Sequence, residues 1–299
     1  SIISSNFIRP LFGVIILFLT LVTAPLIFGT EVVKTLGTKI IPIDYITTSM
    51  LYGTIVATMV WVMFAQKIRY PVSISYTFVG ALVGSAYSKG VHTYINKKEV
   101  FLVFGGLIAA IFISFFISFL LTKIFNIIII HLNPQSFPIF KTLQVLSSVF
   151  LLMGYGANDA EKTLSLVYTA SIIMNTNLNI TPNNIIVILL LSFLFIVGVL
   201  FFGANSLLTA GFRLMKSNPK ETFLAQSITS STVLTFAKFG LPVSSTESLN
   251  MSVVGIGVAE KPYAVKYNIV RNLVLTWLVT VPMSFILSFL ITRFFDKIF

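Results

Sequence analysis

Long uncharged runs alternate with short polar connectors along this chain. Leu11–Thr30, Phe101–Leu121, Ile185–Leu208 and Asn272–Thr292 carry no Asp, Glu, Lys or Arg. About 20 helical residues cross a hydrocarbon core of roughly 30 Å, so each run is long enough to span a membrane. Backbone groups in lipid must be satisfied internally, which a helix does. The pattern predicts a span near Leu11–Val33, segments at Tyr45–Phe64 and Val72–Ser88, and a long span at Phe101–Ile130. It continues with a broken stretch at Leu143–Met174 and a span at Asn184–Leu208. Short segments at Thr222–Phe236 and Val243–Gly257 precede a last span at Tyr267–Phe295. The fold class expected is an all-α, polytopic membrane bundle.

The same device is written twice. Lys67–Gly84 reads K-I-R-Y-P-V-S-I-S-Y-T-F-V-G-A-L-V-G, and Lys238–Gly255 reads K-F-G-L-P-V-S-S-T-E-S-L-N-M-S-V-V-G. Ser118–Phe125 likewise matches Ser288–Phe295. Residues 1–130 are therefore read as a first transporter repeat and 131–299 as a second, as in many secondary transporters. The segments Thr222–Phe236 and Val243–Gly257 give only about 22 Å of helix each. Between them, Lys238-Phe239-Gly240-Leu241-Pro242 is a helix stop followed by a proline suited to the first turn of a new helix. A re-entrant hairpin or discontinuous helix fits, less cleanly in the first copy because Tyr45–Phe64 is longer. A repeat of three or five crossings inserts its tandem copy upside down, giving inverted-topology repeats with the site between them.

Composition sharpens this reading. The chain is 56% hydrophobic and 10% charged, with a mean hydropathy of +0.97; soluble domains carry about a quarter charged residues. The net charge of +11 sits mostly in connectors such as Lys34, Lys39, Lys89, Lys97, Lys98, Arg213, Lys216 and Lys220. There it orients helices rather than binding nucleic acid. Cysteine is absent, which excludes disulfides and thiolate chemistry. His92 and His131 lie in connectors, placed for neither a metal nor a catalytic triad. No cofactor is expected.

Chemistry concentrates at two places. Asp159 is embedded in an apolar span after Gly154, Gly156 and Asn158, and a carboxylate at depth normally faces a partner, an ion or a cavity. A local break at the glycines would free carbonyls that, with Asn158 and Asp159 oxygens, suit a monovalent cation such as sodium. An interhelical turn capped by Asn-Asp fits the same residues. Pro71-Val72-Ser73-Ile74-Ser75 and Pro242-Val243-Ser244-Ser245-Thr246 each start a helix. Helix N-termini present unpaired donors and partial positive charge, a ready anion site; ordinary N-capping is the alternative.

Gly156-Ala157-Asn158-Asp159 resembles the Gly-Ala-Asn-Asp signature of the inorganic phosphate transporter (PiT) family. Pro242–Glu247 is similar to its Pro-Val-Ser-Thr-Thr-His. The resemblance runs along essentially the whole chain, including Trp277 and Pro282. It implies a homodimeric carrier in a lipid bilayer, a multi-pass protein of the cell membrane that imports phosphate with sodium or a proton as coupling ion. Carried over by position, Ser73, Ser75, Asp159, Ser244, Ser245 and Thr246 would hold phosphate, and Asn158 and Asp159 the cation. Ile74 departs from the family's central hydroxyl, and Tyr76 and Glu247 stand where His is usual. The second Gly-Ala-Asn-Asp copy is absent, so a preceding helix carrying it is expected, with weak phosphate binding in its absence. Competing readings are a carrier of a related oxyanion such as sulfate and a non-transporting receptor or scaffold. An intramembrane enzyme fits poorly, because Asp159 and Glu161 lie about 200° apart on a regular helix.

Overall fold

The computed structural model describes residues 10–67, 72–129, 137–174, 181–212, 214 and 218–298. Pro71, His131, Arg213, Lys216 and the expected repeat boundary at 130/131 lie outside them. Every regular element among the described residues is helical. In chain order these are α1 (Pro10–Phe28), α2 (Glu31–Lys34), α3 (Thr48–Lys67), α4 (Ile74–Ser88), α5 (Lys97–Ile129) and α6 (Phe137–Gly154). Then come α7 (Glu161–Ile173), α8 (Ile185–Phe212), α9 (Pro219–Lys238), α10 (Ser245–Glu260) and α11 (Tyr267–Phe295). Five helical stretches among the described residues are long and apolar enough to cross a membrane: Leu11–Phe28, Thr48–Lys67, Lys97–Ile128, Ile139–Ile173 and Tyr267–Phe295.

Two expectations change. The first span does not run to Val33. It stops at Gly29, whose φ of 87° ends the helix, and α2 continues as a π-helical turn over Thr35–Lys39. A left-handed residue closes helices readily where it is glycine. The second hairpin's first arm is also longer than its apolar pattern. Asn218 and Glu221 form a capping box, with Glu221 N–H donating to Asn218 Oδ1 and Asn218 N–H to Glu221 Oε2, both at 2.9 Å. Pro219 occupies the first turn, where its missing N–H costs nothing. The polar start read as a connector is therefore helix. Both copies then agree, with first arms of 20 residues and second arms of 15 and 16.

The turn of the second hairpin is a Schellman closure. Gly240, at φ 73°, donates to the Ala237 carbonyl at 2.8 Å, and Leu241 donates to Phe236 at 3.0 Å. Pro242 falls before the cap residue Ser244 rather than in the first turn of α10.

The duplication extends to packing. The hairpin α3–α4 lies on α11, while α9–α10 lies on α5. A Cβ on Gly84 would sit 2.3 Å from the Phe285 carbonyl oxygen, and one on Gly255 would sit 2.4 Å from that of Phe115. Only glycine admits backbone that close. The faces receiving the hairpins are small and polar, with Ser114, Ser118 and Thr122 buried on α5 and Ser284, Ser288 and Thr292 on α11. Small residues let helices approach where lipid supplies little hydrophobic drive. Outward, α5 and α11 present Phe112, Phe116, Leu120, Leu278 and Leu290, a surface suited to hydrocarbon. A salt bridge from Lys89 to Asp296 ties the end of α4 to the end of α11. The ammonium holds that carboxyl below the usual carboxylate range.

Candidate substrate site at the hairpin starts

The break expected at the glycines is a π-helical turn. Tyr155–Ala160 continues α6 into α7 with wider backbone spacing, a feature that often marks functional places in helices. Gly156 serves close contact, since a Cβ there would meet the Ala24 Cβ at 2.6 Å and the Thr20 carbonyl at 3.0 Å. Position 156 thus seats the turn on α1. Asn158 and Asp159 cap nothing, because the cap position of α7 is Ala160 and no side chain bonds there.

Asn158 is fully buried and grips the backbone of the opposite hairpin. Its Nδ2 donates to the Val243 carbonyl at 2.7 Å, and its Oδ1 accepts the Val243 N–H at 3.0 Å. Nδ2 also lies 3.2 Å from Ser245 Oγ and 3.1 Å from Asp159 Oδ1. The Val243 carbonyl takes two further donors, Ser75 Oγ at 2.8 Å and Lys162 Nζ at 3.0 Å. Lys162 in turn pairs with Asp159 Oδ1 at 2.5 Å. One carbonyl just before α10 therefore joins the π turn and the starts of α4 and α7.

The two helix starts are built alike. Ser73 Oγ accepts the Tyr76 N–H at 3.4 Å, and Ser244 Oγ accepts the Glu247 N–H at 3.3 Å. Capping and convergence thus hold together. Each cap satisfies one N–H and leaves other first-turn donors for a ligand. Two partial positive ends meeting beside a carboxylate–ammonium pair can hold an oxyanion.

Six of the expected residues come together here: Ser73, Ser75, Asn158, Asp159, Ser244 and Ser245. Thr246 is exposed on α10 and stands outside this hydrogen-bond cluster, because on a helix it faces about 100° away from Ser245. The expected cation oxygens already have protein donors, the Val243 N–H on Asn158 and the Lys162 ammonium on Asp159.

Lys162 was missed in the sequence, although its place three residues after Asp159 puts both on one helix face. Glu247 is buried at 1% exposure, and neither carboxylate oxygen makes a hydrogen bond among the described residues. Glu161, also buried, turns to α2 and accepts the Val33 N–H at 3.4 Å. It braces the broken helix and makes no acid–base pair with Asp159.

Paired hairpins on long helices, with polar helix starts meeting at a buried π turn, define a multi-pass helical membrane transporter. The family model for the PHO4 phosphate transporter family matches residues 1–288, and the chain belongs to that family. It is 26% identical to a probable low-affinity inorganic phosphate transporter of Rhizobium meliloti, covering 96% of this chain and 86% of that one. It is 24% identical to a protein of the same description from Bacillus subtilis, over 79% and 71%. Among solved structures, one titled the sodium-dependent phosphate transporter superposes with a TM-score of 0.83 at 20% identity. It covers 96% of this chain and 90% of that one. That likeness speaks for the fold. The named relatives are transporters, not enzymes.

Proposed function

We propose that this protein imports inorganic phosphate across the cell membrane by symport with sodium or a proton. Phosphate is held between the starts of α4 and α10. In this reading residues 1–130 and 131–299 are inverted repeats, and two copies form a homodimer in the bilayer. The observation that carries the proposal is the convergence of Ser75 and Ser245, each in the first turn of a serine-capped helix, on Asn158 and the Val243 carbonyl. Family membership supports it, as does the exchanged packing of the two hairpins.

The serines are tested by phosphate binding to purified protein, expressed from its full coding frame. A hydrogen bond to a charged group contributes roughly 1.5–3 kcal/mol. Ser244→Ala and Ser245→Ala should therefore each raise the half-saturation about tenfold or more. A lower melting temperature with unchanged half-saturation would leave these residues as structural caps.

Selectivity separates phosphate from the related oxyanion sulfate. The Asp159 carboxylate only accepts hydrogen bonds, and hydrogen phosphate keeps a proton to donate. Sulfate at neutral pH has none and would bring no donor to the Asp159 oxygen that Lys162 does not hold, a mismatch that sites of this kind reject strongly. Competition experiments should show sulfate failing to displace labelled phosphate even at large excess. Equal competition at low excess would contradict a substrate facing Asp159.

A further inference from the structure

Lys162 is 2% exposed, and no other lysine or arginine among the described residues is buried. Its ammonium lies 2.5 Å from Asp159 Oδ1 and 3.0 Å from the Val243 carbonyl oxygen. A carboxylate and a peptide oxygen are the ligand types that hold hard cations, and carbonyls at broken membrane helices do so in transporters. The ligands are also used up. A carbonyl oxygen has two lone pairs, yet Val243 already receives donors from Asn158, Ser75 and Lys162. Asn158 Oδ1 is held by the Val243 N–H.

We infer that the Lys162 ammonium is a tethered cation, occupying the position at Asp159 and Val243 where a sodium ion would otherwise bind. This makes Lys162 a residue that decides ion specificity. It deepens, and rests on, the reading of this cluster as a phosphate site. Phosphate binding then draws on no sodium at this position, and a co-transported cation binds elsewhere. The pair Asp159–Lys162 carries no net charge, so an oxyanion at the neighbouring helix starts does not meet an uncompensated carboxylate. No change of protonation is required. A lysine that merely fastens the turn to the hairpin would stabilise the same contacts but would leave no cation site behind when shortened.

The test is the melting temperature of the detergent-purified protein as sodium chloride replaces choline chloride at constant ionic strength. Lys162→Ala exposes the oxygens, and sodium should then raise its melting temperature by roughly 3 °C or more beyond the wild-type response at ten times the dissociation constant. Adding Asp159→Asn should remove that gain, and Lys162→Arg should follow the wild type. An unchanged sodium response in Lys162→Ala overturns the inference. Should the alanine variant fail to fold, Lys162→Gln is read in the same way. The wild type gives a second decision through binding of radiolabelled sodium. Sodium binding by the wild type that is abolished in the Asp159→Asn, Lys162→Met double variant, shown folded by its melting temperature, overturns the inference, and binding that is absent or indifferent to that change supports it. Phosphate is added in a separate arm. Failure of phosphate to raise the wild-type melting temperature counts against the phosphate reading and leaves the sodium comparison standing.

Discussion

Asp159→Asn is expected to abolish phosphate uptake and to destabilise the fold, and adding Lys162→Met should restore the fold without restoring uptake. The sequence alone led to a milder expectation, a fully folded variant, because the amide is isosteric. The structure adds the buried ammonium. Lys162 is 2% exposed and Asp159 21%, so neutralising the carboxylate leaves the buried ammonium without its paired negative charge. Breaking a buried pair on one side costs about 3–5 kcal/mol, whereas replacing both partners by neutral groups is often close to neutral. Partial exposure of Asp159 reduces the first figure to roughly 2–4 kcal/mol. Melting temperatures of the two single variants and the double variant, in choline chloride, measure the coupling. Uptake stays lost in the double variant because the carboxylate facing the substrate is gone. Additive losses of stability, or wild-type uptake in Asp159→Asn, would contradict this arrangement.

Asn158→Ala should have a comparable effect by a different route. Its side chain bonds both the backbone N–H and the C=O of one residue, and that residue, Val243, is fully buried. The carbonyl keeps Ser75 and Lys162 as donors, but the N–H is left without its acceptor. A stranded buried donor costs roughly 1–3 kcal/mol, and the start of α10 loses its anchor to the π turn. Phosphate affinity should fall about a hundredfold, corresponding to about 2.7 kcal/mol. Asn158→Asp should not rescue it. That change keeps an acceptor for the Val243 N–H but places a second carboxylate against Asp159 and the Val243 carbonyl. Hydrogen exchange reports the anchor directly, as faster exchange at 243–247 in Asn158→Ala. Wild-type half-saturation with unchanged exchange would mean that the hairpin start is held by other contacts.

Much of this was legible because membrane helices declare themselves by uncharged length and because the hairpin signature is written twice. Gly84 and Gly255, aligned in sequence, meet Phe285 and Phe115 in the same way, so the duplication in letters is a duplication of contacts. Reading the two capped helix starts as one site anticipated that Ser75 and Ser245 would lie close to Asn158 and Val243. What escaped the sequence has physical causes. Gly154 and Gly156 permitted a break, but whether a helix stops or widens into a π turn depends on its packing against α1. The polar opening of α9 looked like a connector until the Asn218–Glu221 box made it helix. Lys162 was given no role, because composition does not say which lysine is buried. Its reach to Val243, 81 positions away in the chain, exists only in the fold. Thr246 matched the motif by position, yet its helix phase sets it outside the cluster.

The central claim is that the meeting of α4, α10 and the Asn158–Asp159 turn is a phosphate pathway. Uptake of radiolabelled phosphate into proteoliposomes, with sodium and proton gradients imposed separately, tests it most directly. Gradient-driven accumulation is expected, unaffected by excess sulfate and lost in Asp159→Asn. Uptake no greater than in protein-free liposomes under either gradient, or uptake that persists at wild-type rate in Asp159→Asn, would contradict it.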